Sequence, residues 1–317
     1  MLGRLGQVDI NLLHVFRAVV ESGGFAAAQV VLNSTQPTIS NQMAALETRL
    51  GMRLCERGRA GFRLTPQGKA VYDGALALFS AHDSFNKHVS ALKGRVEGDL
   101  HIGVIDSTVT NAECPVVRAL QRFNSRQVAV HLYLHVASPL DIEQRVIDGR
   151  IEVGIGCFPN RAPGLKYRKL FDERHELYCA SSHPLFRRAG EAGPDDLGEF
   201  EFVHRGYFPV NHAALPRGAR ITATVVTMEA VAILILTGRY LGYLPTHYAE
   251  HWTRQGLMRP VAATAAQHGA VFEVIHKRGV TLSLAAQAFL ADLNAMHRHG
   301  AGPRDDLPEA AAGMTAL

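Results

Sequence analysis

The chain is poor in the features that mark secreted, membrane-embedded or catalytic proteins. Four of its 317 residues are cysteine, Cys55, Cys114, Cys157 and Cys179, and no two stand at a paired spacing. That pattern speaks for isolated reduced thiols and against a disulfide framework or a thiolate metal site. The longest clean apolar run, AVAILIL at 230–236, is far short of the ~20 residues that a transmembrane helix needs. The opening MLGRLGQVDINLL holds no long apolar run and no small-residue cleavage site, so no signal peptide and a cytoplasmic location are expected. No G-x-S-x-G elbow and no Walker loop occur, and GIG at 154–156 lacks the rest of a dinucleotide fingerprint. HYAEH at 247–251 places two histidines one helical turn apart around a glutamate. With no third ligand marked downstream, it is not read as a zinc site. No catalytic residue, metal or cofactor is therefore expected.

Charge of one sign is also scarce, and its placement is informative. The net charge is +4, from 33 basic and 29 acidic residues. Residues 1–98 carry 11 of the basic and 7 of the acidic ones, leaving 22 of each for the remainder. The formal excess sits entirely in the first third, which suggests a polyanion partner for that part.

DINLLHVFRAVVESGG sets Leu12, Phe16, Val19 and Val20 at helical spacing, with Asp9 as the expected N-cap. FAAAQVVL is a second short helix. After the turn NST a third begins near Pro37, whose missing N–H has no intrahelical partner in a first turn anyway. Ile39, Met43, Leu46 and Leu50 form one apolar stripe of that third helix. Pro37, Asn41, Ala44, Ala45 and Thr48 lie opposite, while Gln36, Thr38 and Ser40 flank the leading end. Small hydroxyl and amide side chains are poor helix-interior residues. They suit a helix that reads base edges in a major groove with its N-terminal end. An ordinary amphipathic helix with a polar cap is the alternative. RLCERGRAGFRLTPQG follows, with Arg53, Arg57, Arg59 and Arg63 around two glycines. It reads as a basic hairpin, the wing of a winged helix-turn-helix.

The stretch from GGFAAAQ through LTPQG resembles the N-terminal domain of LysR-type transcriptional regulators. Matching positions are Phe25, Ala28, Leu32, Thr35-Gln36-Pro37, Ile39-Ser40, Leu46-Glu47, Leu50-Gly51, Leu54, Glu56-Arg57 and Leu64-Thr65 through Gly68. The resemblance implies DNA contacts by Thr35, Gln36, Pro37, Thr38, Ser40, Asn41 and the wing residues Arg57 and Arg59. Three positions depart from the family pattern: Asn41 replaces a usual basic residue, Gln29 a common alanine, and Arg59 stands one residue before the usual wing arginine.

Thr65 is placed to cap the next helix, where Val71, Ala75, Leu78, His82, Phe85, Val89 and Leu92 step by 4 and 3 alternately. A period of 3.5 is a coiled-coil seam, over a helix of about 42 Å at ~1.5 Å per residue. Val71, Leu78, Phe85, Val89 and Leu92 are the expected dimer contacts, and His82 a tolerated polar seam residue. The resemblance also implies dimerisation here, a homotetramer through effector domains in many members, and RNA polymerase as a further partner.

GRVEGDL is a hinge. Beyond it, apolar strand-like runs alternate with helical patterns, which implies a mostly parallel sheet. The full expectation is an α/β protein with an all-α N-terminal part. It comprises a winged helix-turn-helix at 1–65, a long linker helix at 66–93, a hinge at 94–98 and an effector domain at 99–300, with a loose tail at 301–317. The resemblance implies two Rossmann-like lobes similar to periplasmic binding proteins, lobe I at 99–168 and 269–300 and lobe II at 169–268. GDLHIG, DGRIEVGIG and SSHPLF match family landmarks, with Glu152 in place of a common aspartate. In such sheets ligands sit at the carboxyl ends of strands. That points to Asp106, Ser107, Thr108, Ser138 and Phe158 in lobe I, and to His204, Arg205, Tyr207 and Thr227 in lobe II. Each hydroxyl reads equally well as a helix cap, and Asp106 and Arg205 as an ion pair or as holders of a zwitterion.

Together these features favour a transcription regulator that binds double-stranded DNA, modulated by a small-molecule effector between the lobes. The alternative is a solute-binding or enzymatic α/β domain with a helical N-terminus that does not bind DNA. The first 65 residues discriminate, because only a regulator needs the polar helix face and the basic wing.

Overall fold

A computed structural model describes residues 6–58, 61–92, 94–126, 128–208, 218–261 and 267–300. The chain divides into two compact units after Asn86.

The first unit is built on three helices: α1 (Gln7–Glu21), α2 (Phe25–Leu32) and α3 (Gln36–Leu50). Phe16, Val19, Ala28, Ile39, Met43, Leu46 and Leu54 are almost wholly buried in its core. Asp9 is not the N-cap of α1. The helix begins two residues earlier, and Asp9 reaches back from its first turn to accept the Gly6 N–H at 2.8 Å, as carboxylates at the third helical position do. Arg49 of α3 binds the same carboxylate, with Nη2 donating to Oδ2 at 2.9 Å, and holds Asp9 below the usual carboxylate range.

The departure at Gln29 has a structural role. Its Oε1 accepts the Gln36 N–H at 3.2 Å, serving one of the first-turn donors that a helix leaves without partners. Thr35, the residue before α3, instead pairs its hydroxyl with that of Thr38 at 2.8 Å. At the other end of α3, Glu47 Oε1 accepts the N–H groups of Leu54 and Cys55 at 2.8 and 3.3 Å. This ties the helix to an antiparallel hairpin of β1 (Cys55–Gly58) and β2 (Gly61–Leu64), with Glu56 opposite Arg63.

Helix α4 (Pro66–Leu92) begins as expected, the Thr65 hydroxyl accepting the Gly68 N–H at 2.8 Å. Gly68 is there for space: a Cβ would lie 1.8 Å from the Leu54 carbonyl oxygen. The first half of the seam is partly used within this unit. Ala75 and Phe79 are buried in the core of this unit, and Val71 and Leu78 pack partly against it. Phe79 stacks on His14 at 4.0 Å. Phe85, by contrast, is 67% exposed. Val89 is half-buried, and the side chain of Leu92 lies outside the described residues.

The second unit carries a mixed sheet. Its strands are β3 (Glu97–Val104), β4 (Ala129–Val136), β5 (Val153–Cys157), β6 (Leu165–Ala180), β7 (Glu201–Arg205), β8 (Arg220–Val225), β9 (Tyr240–Pro245), β10 (Met258–Pro260) and β11 (Gln267–Lys277). Its helices are α5 (Val116–Asn124), α6 (Pro139–Ile147), α7 (Met228–Leu236), α8 (Thr246–Arg254) and α9 (Leu284–Gly300). The strand order is β4-β3-β5-β11-β6-β9-β7-β8, with β10 against β6. The pairs β3–β4 and β3–β5 of lobe I and β7–β8 and β7–β9 of lobe II are parallel, as the alternating pattern implies. The sheet is not mostly parallel overall, because β6 and β11 are long strands that run between the lobes antiparallel to each other. The hinge is also shorter than expected: β3 starts at Glu97 and pairs there with Ala129.

Lobe I packs around Leu100, Ile102, Ile142, Val153, Ile155 and Phe289, and lobe II around Leu177, Phe202, Leu241, Val231 and Ile235. The GIG run belongs to this packing. A Cβ on Gly154 would meet Ile142 at 2.6 Å and Ile275 at 2.7 Å, so the glycine admits two core side chains. Glu152 is buried and accepts the Ser283 N–H and hydroxyl at 3.1 and 2.8 Å, anchoring the start of α9. The loose-tail expectation at 301–317 falls outside the described residues.

Candidate nucleic-acid interface and effector cleft

The leading end of α3 has the predicted character. Thr35, Gln36, Pro37, Thr38 and Asn41 are exposed, as are Ala44, Ala45 and Thr48, while Ser40 is half-buried. Ile39, Met43 and Leu46 lie behind them in the core. One face of the helix is therefore used up by packing, and the other offers hydroxyls and amides that can donate and accept at once. In the hairpin Arg57 stands opposite Phe62 and exposed Arg63 opposite Glu56. Arg53 is exposed, and Arg59 lies outside the described residues.

In the second unit, polar side chains of both lobes converge on the crossing strand β6. Glu173, only 4% exposed, accepts three hydrogen bonds. Asn111 Nδ2 donates at 3.0 Å, His175 Nε2 at 2.7 Å and His247 Nε2 at 2.8 Å. The Thr110 hydroxyl donates to His247 Nδ1 at 2.8 Å. Residues after β3 are thus latched to β6 and α8. Burial alone would raise the Glu173 carboxyl, but the two histidine hydrogen bonds outweigh it and hold it down at about 2. Burial pushes His175 below its ordinary value, so it is a neutral donor to Glu173, and its Nδ1 faces Arg205 Nη2 at 3.5 Å.

A second bridge lies beside the first. Asp106 Oδ2 accepts the Met228 N–H at 2.5 Å, at the first residue of α7. A carboxylate of lobe I thereby occupies a helix N-terminus of lobe II, the favoured place for negative charge. Burial raises the Asp106 carboxyl all the same, with the Met228 N–H and Arg205 acting against it. Arg205 Nη1 touches Met228 Sδ at 3.9 Å. Its guanidinium lies over the rings of Phe208 at 4.3 Å and Tyr207 at 5.8 Å.

The other residues singled out from sequence divide by role. Ser138 and Thr227 cap helices: their hydroxyls accept the N–H groups of Asp141 and Ala230, each at 3.2 Å. Ser107 has φ +61, a conformation that costs a non-glycine residue energy and gathers at ligand sites. Thr108, beside it, is half-buried and directs its hydroxyl to the Ile105 carbonyl at 3.4 Å. Phe158 is 4% exposed and packs with the lobe I core, edge-on to Tyr167. His204 Nε2 pairs with the Phe208 carbonyl at 2.9 Å, and Tyr207 is buried. Asp106 and Arg205 both contact Met228, but no ion pair among the described residues joins them. Glu173, His175 and Asn111 were not singled out at all. The DERHE run of β6 reads as solvated charge, and only its i, i+2 alternation puts Glu173 and His175 on one face. In HYAEH the two histidines part ways, His247 to Glu173 and His251 to Gln255 at 3.1 Å.

No helix among the described residues is long and apolar enough to cross a membrane. A family model described as a bacterial regulatory helix-turn-helix protein of the lysR family matches residues 10–69. One described as the LysR substrate binding domain matches residues 93–297. The chain is 35% identical over 291 residues to the HTH-type transcriptional activator BauR of Pseudomonas aeruginosa, covering 91% of this chain and 95% of the relative. It is 31% identical over 200 residues to the probable regulator LrrA of Synechococcus elongatus, covering 63% and 66%. Among solved structures, that of CbnR, a LysR family transcriptional regulator, aligns with a TM-score of 0.61 at 22% identity, covering 91% of this chain and 99% of that one. CbnR complexed with its target DNA aligns at 0.60 with 22% identity, covering 90% and 99%. The chain belongs to the LysR family of transcription regulators, DNA-binding proteins in which a helix-turn-helix domain is joined to an effector-binding domain.

Proposed function

We propose that α3 reads base edges with Gln36, Thr38, Ser40 and Asn41, that Thr35 and Pro37 set its entry, and that Arg57 and Arg59 hold the wing on phosphates. The observation that carries this is the exposure of the polar side chains at the leading end of α3, while Ile39, Met43 and Leu46 anchor the same helix from behind. A small molecule binds between the lobes, against Asp106, Ser107, Thr108, Arg205 and the start of α7 at Thr227, with Ser138 as a helix cap nearby. Binding there shifts DNA occupancy by favouring one arrangement of the lobes over another. The exposed part of α4 at Phe85 pairs with a second copy, and the protein works in the cytoplasm as a homodimer or homotetramer, with RNA polymerase as a partner and without catalysis. CbnR, whose solved complex contains its target DNA, supports the first part by its shared fold.

The test is footprinting of the purified protein on the DNA upstream of its own gene, with and without a metabolite panel. A protected site whose length or affinity changes with one metabolite is the expected result. Equal affinity for that DNA and for a scrambled duplex at fixed salt would overturn the reading.

A further inference from the structure

We propose that the effector is a small zwitterion, its ammonium group held by Asp106 and its carboxylate by Arg205. This rests on the reading of the inter-lobe cleft as the effector site and names what that site selects. Asp106 and Arg205 both contact Met228: the carboxylate takes the backbone N–H at 2.5 Å and the guanidinium touches the sulfur at 3.9 Å. They come from different lobes, yet they are not joined to each other. No ion pair among the described residues joins Arg205 to a carboxylate. Its neighbours are the Phe208 and Tyr207 rings, the Tyr207 hydroxyl, the Met228 sulfur and His175 Nδ1. These fix the plane of the guanidinium and leave part of its five-donor fork for a planar anion. Asp106 uses one oxygen on the Met228 N–H, and a carboxylate has about four acceptor positions.

The charges of the cleft decide between ligand classes. A simple carboxylate would meet Arg205 but would bring a second negative charge beside Asp106, with Glu173 also near. A simple amine would suit Asp106 but would face Arg205. Both arrangements put like charges together where burial already weakens solvation. A zwitterion satisfies both groups and leaves the net charge of the cleft unchanged. It also links lobe I to lobe II, so that it binds different lobe arrangements unequally and favours one of them.

The experiment is calorimetric titration of the full chain with matched probes. These are straight-chain ω-amino acids of two to five carbons, the L-α-amino acids, the carboxylates that lack the amine, and the amines that lack the carboxylate. Titrations are run on wild type, Asp106→Asn and Arg205→Lys. The Asp106→Asn amide can still accept the Met228 N–H, and thermal unfolding of each variant checks that the fold is kept. At least one zwitterion should bind. Loss of either charge from the probe should weaken binding about ten- to hundredfold, the effect of one charge-assisted hydrogen bond. Asp106→Asn should erase the preference for the amine, and Arg205→Lys should weaken the zwitterion while retaining that preference. A monocarboxylate that binds as tightly as the zwitterion and is insensitive to Asp106→Asn overturns the zwitterion but leaves the cleft as the effector site. Binding unaffected by both variants overturns the cleft as well. No binding by any probe overturns the proposal.

Discussion

Replacing Glu173 by alanine should unlatch the lobes at a cost that the structure allows to be worked out. The side chain is 4% exposed and accepts from Asn111, His175 and His247. Its removal orphans three donors, and His175, 1% exposed, cannot turn to water. Each orphaned buried donor costs about 1–3 kcal/mol, and the breaking of a buried charged cluster typically costs about 3–5 kcal/mol in total. We expect about 3–5 kcal/mol, because water admitted on the Asn111 side offsets part of the sum. For a domain of this size each kcal/mol moves the midpoint by about 2–4 °C, giving a fall of ~6–20 °C. The assay is calorimetric melting of the full chain, following the transition of the second unit. Glu173→Gln keeps the shape and one acceptor, so it should cost less, about 1–2 kcal/mol. It should also flatten the acid limb. Glu173 titrates below its ordinary 4.5, so its contribution is complete above that value and is lost as pH falls further. His175 is pushed below its ordinary 6.5, so the unfolded chain takes up its proton first and stability declines from about there downward. A midpoint within ~3 °C of wild type for Glu173→Ala, or an unchanged pH profile for Glu173→Gln, would refute the latch.

Gly68→Ala should destabilise the first unit by about 1–3 kcal/mol, read by urea unfolding, because its Cβ meets the Leu54 carbonyl; helix propensity alone predicts a gain of about 1 kcal/mol, so the sign decides. Gln29→Ala should cost about 1 kcal/mol in the same assay by freeing the Gln36 N–H, and no loss would mean that water serves that donor equally well. Phe85→Asp should shift the sedimenting species toward monomer with the melting of the first unit unchanged, since Phe85 is exposed there; an unaltered oligomer would rule out pairing through this part of α4. Leu78→Asp cannot separate the two, because Leu78 also packs on its own domain.

Periodicity made α3 and its neighbours legible, since Ile39, Met43 and Leu46 must face one way and polar residues are then left on the other. Several strands of the second unit, such as β3 and β5, were legible as short apolar runs between turn residues, whereas the division into two lobes came from the family resemblance. What escaped depended on partners distant in sequence. Thr65 and Ser138 cap helices within three residues, so their roles can be read locally. Asp9 looked like a cap in the sequence but answers also to Arg49, forty residues away. Glu173 gathers donors from positions 111, 175 and 247, and only the sheet crossing brings them together. A periodic stripe does not say which residues it serves: Ala75 is spent on its own domain and Phe85 is exposed.

The most direct test of the central claim is equilibrium binding of wild type and Gln36→Ala to the operator and to a scrambled duplex at one fixed salt concentration. Gln36 is exposed at the start of α3, and a lost base contact is worth about 1–3 kcal/mol of discrimination. The ratio of operator to scrambled affinity should therefore fall about five- to hundredfold, with affinity for the scrambled duplex unchanged. An undiminished ratio in Gln36→Ala would contradict the assignment of α3 as the reading helix.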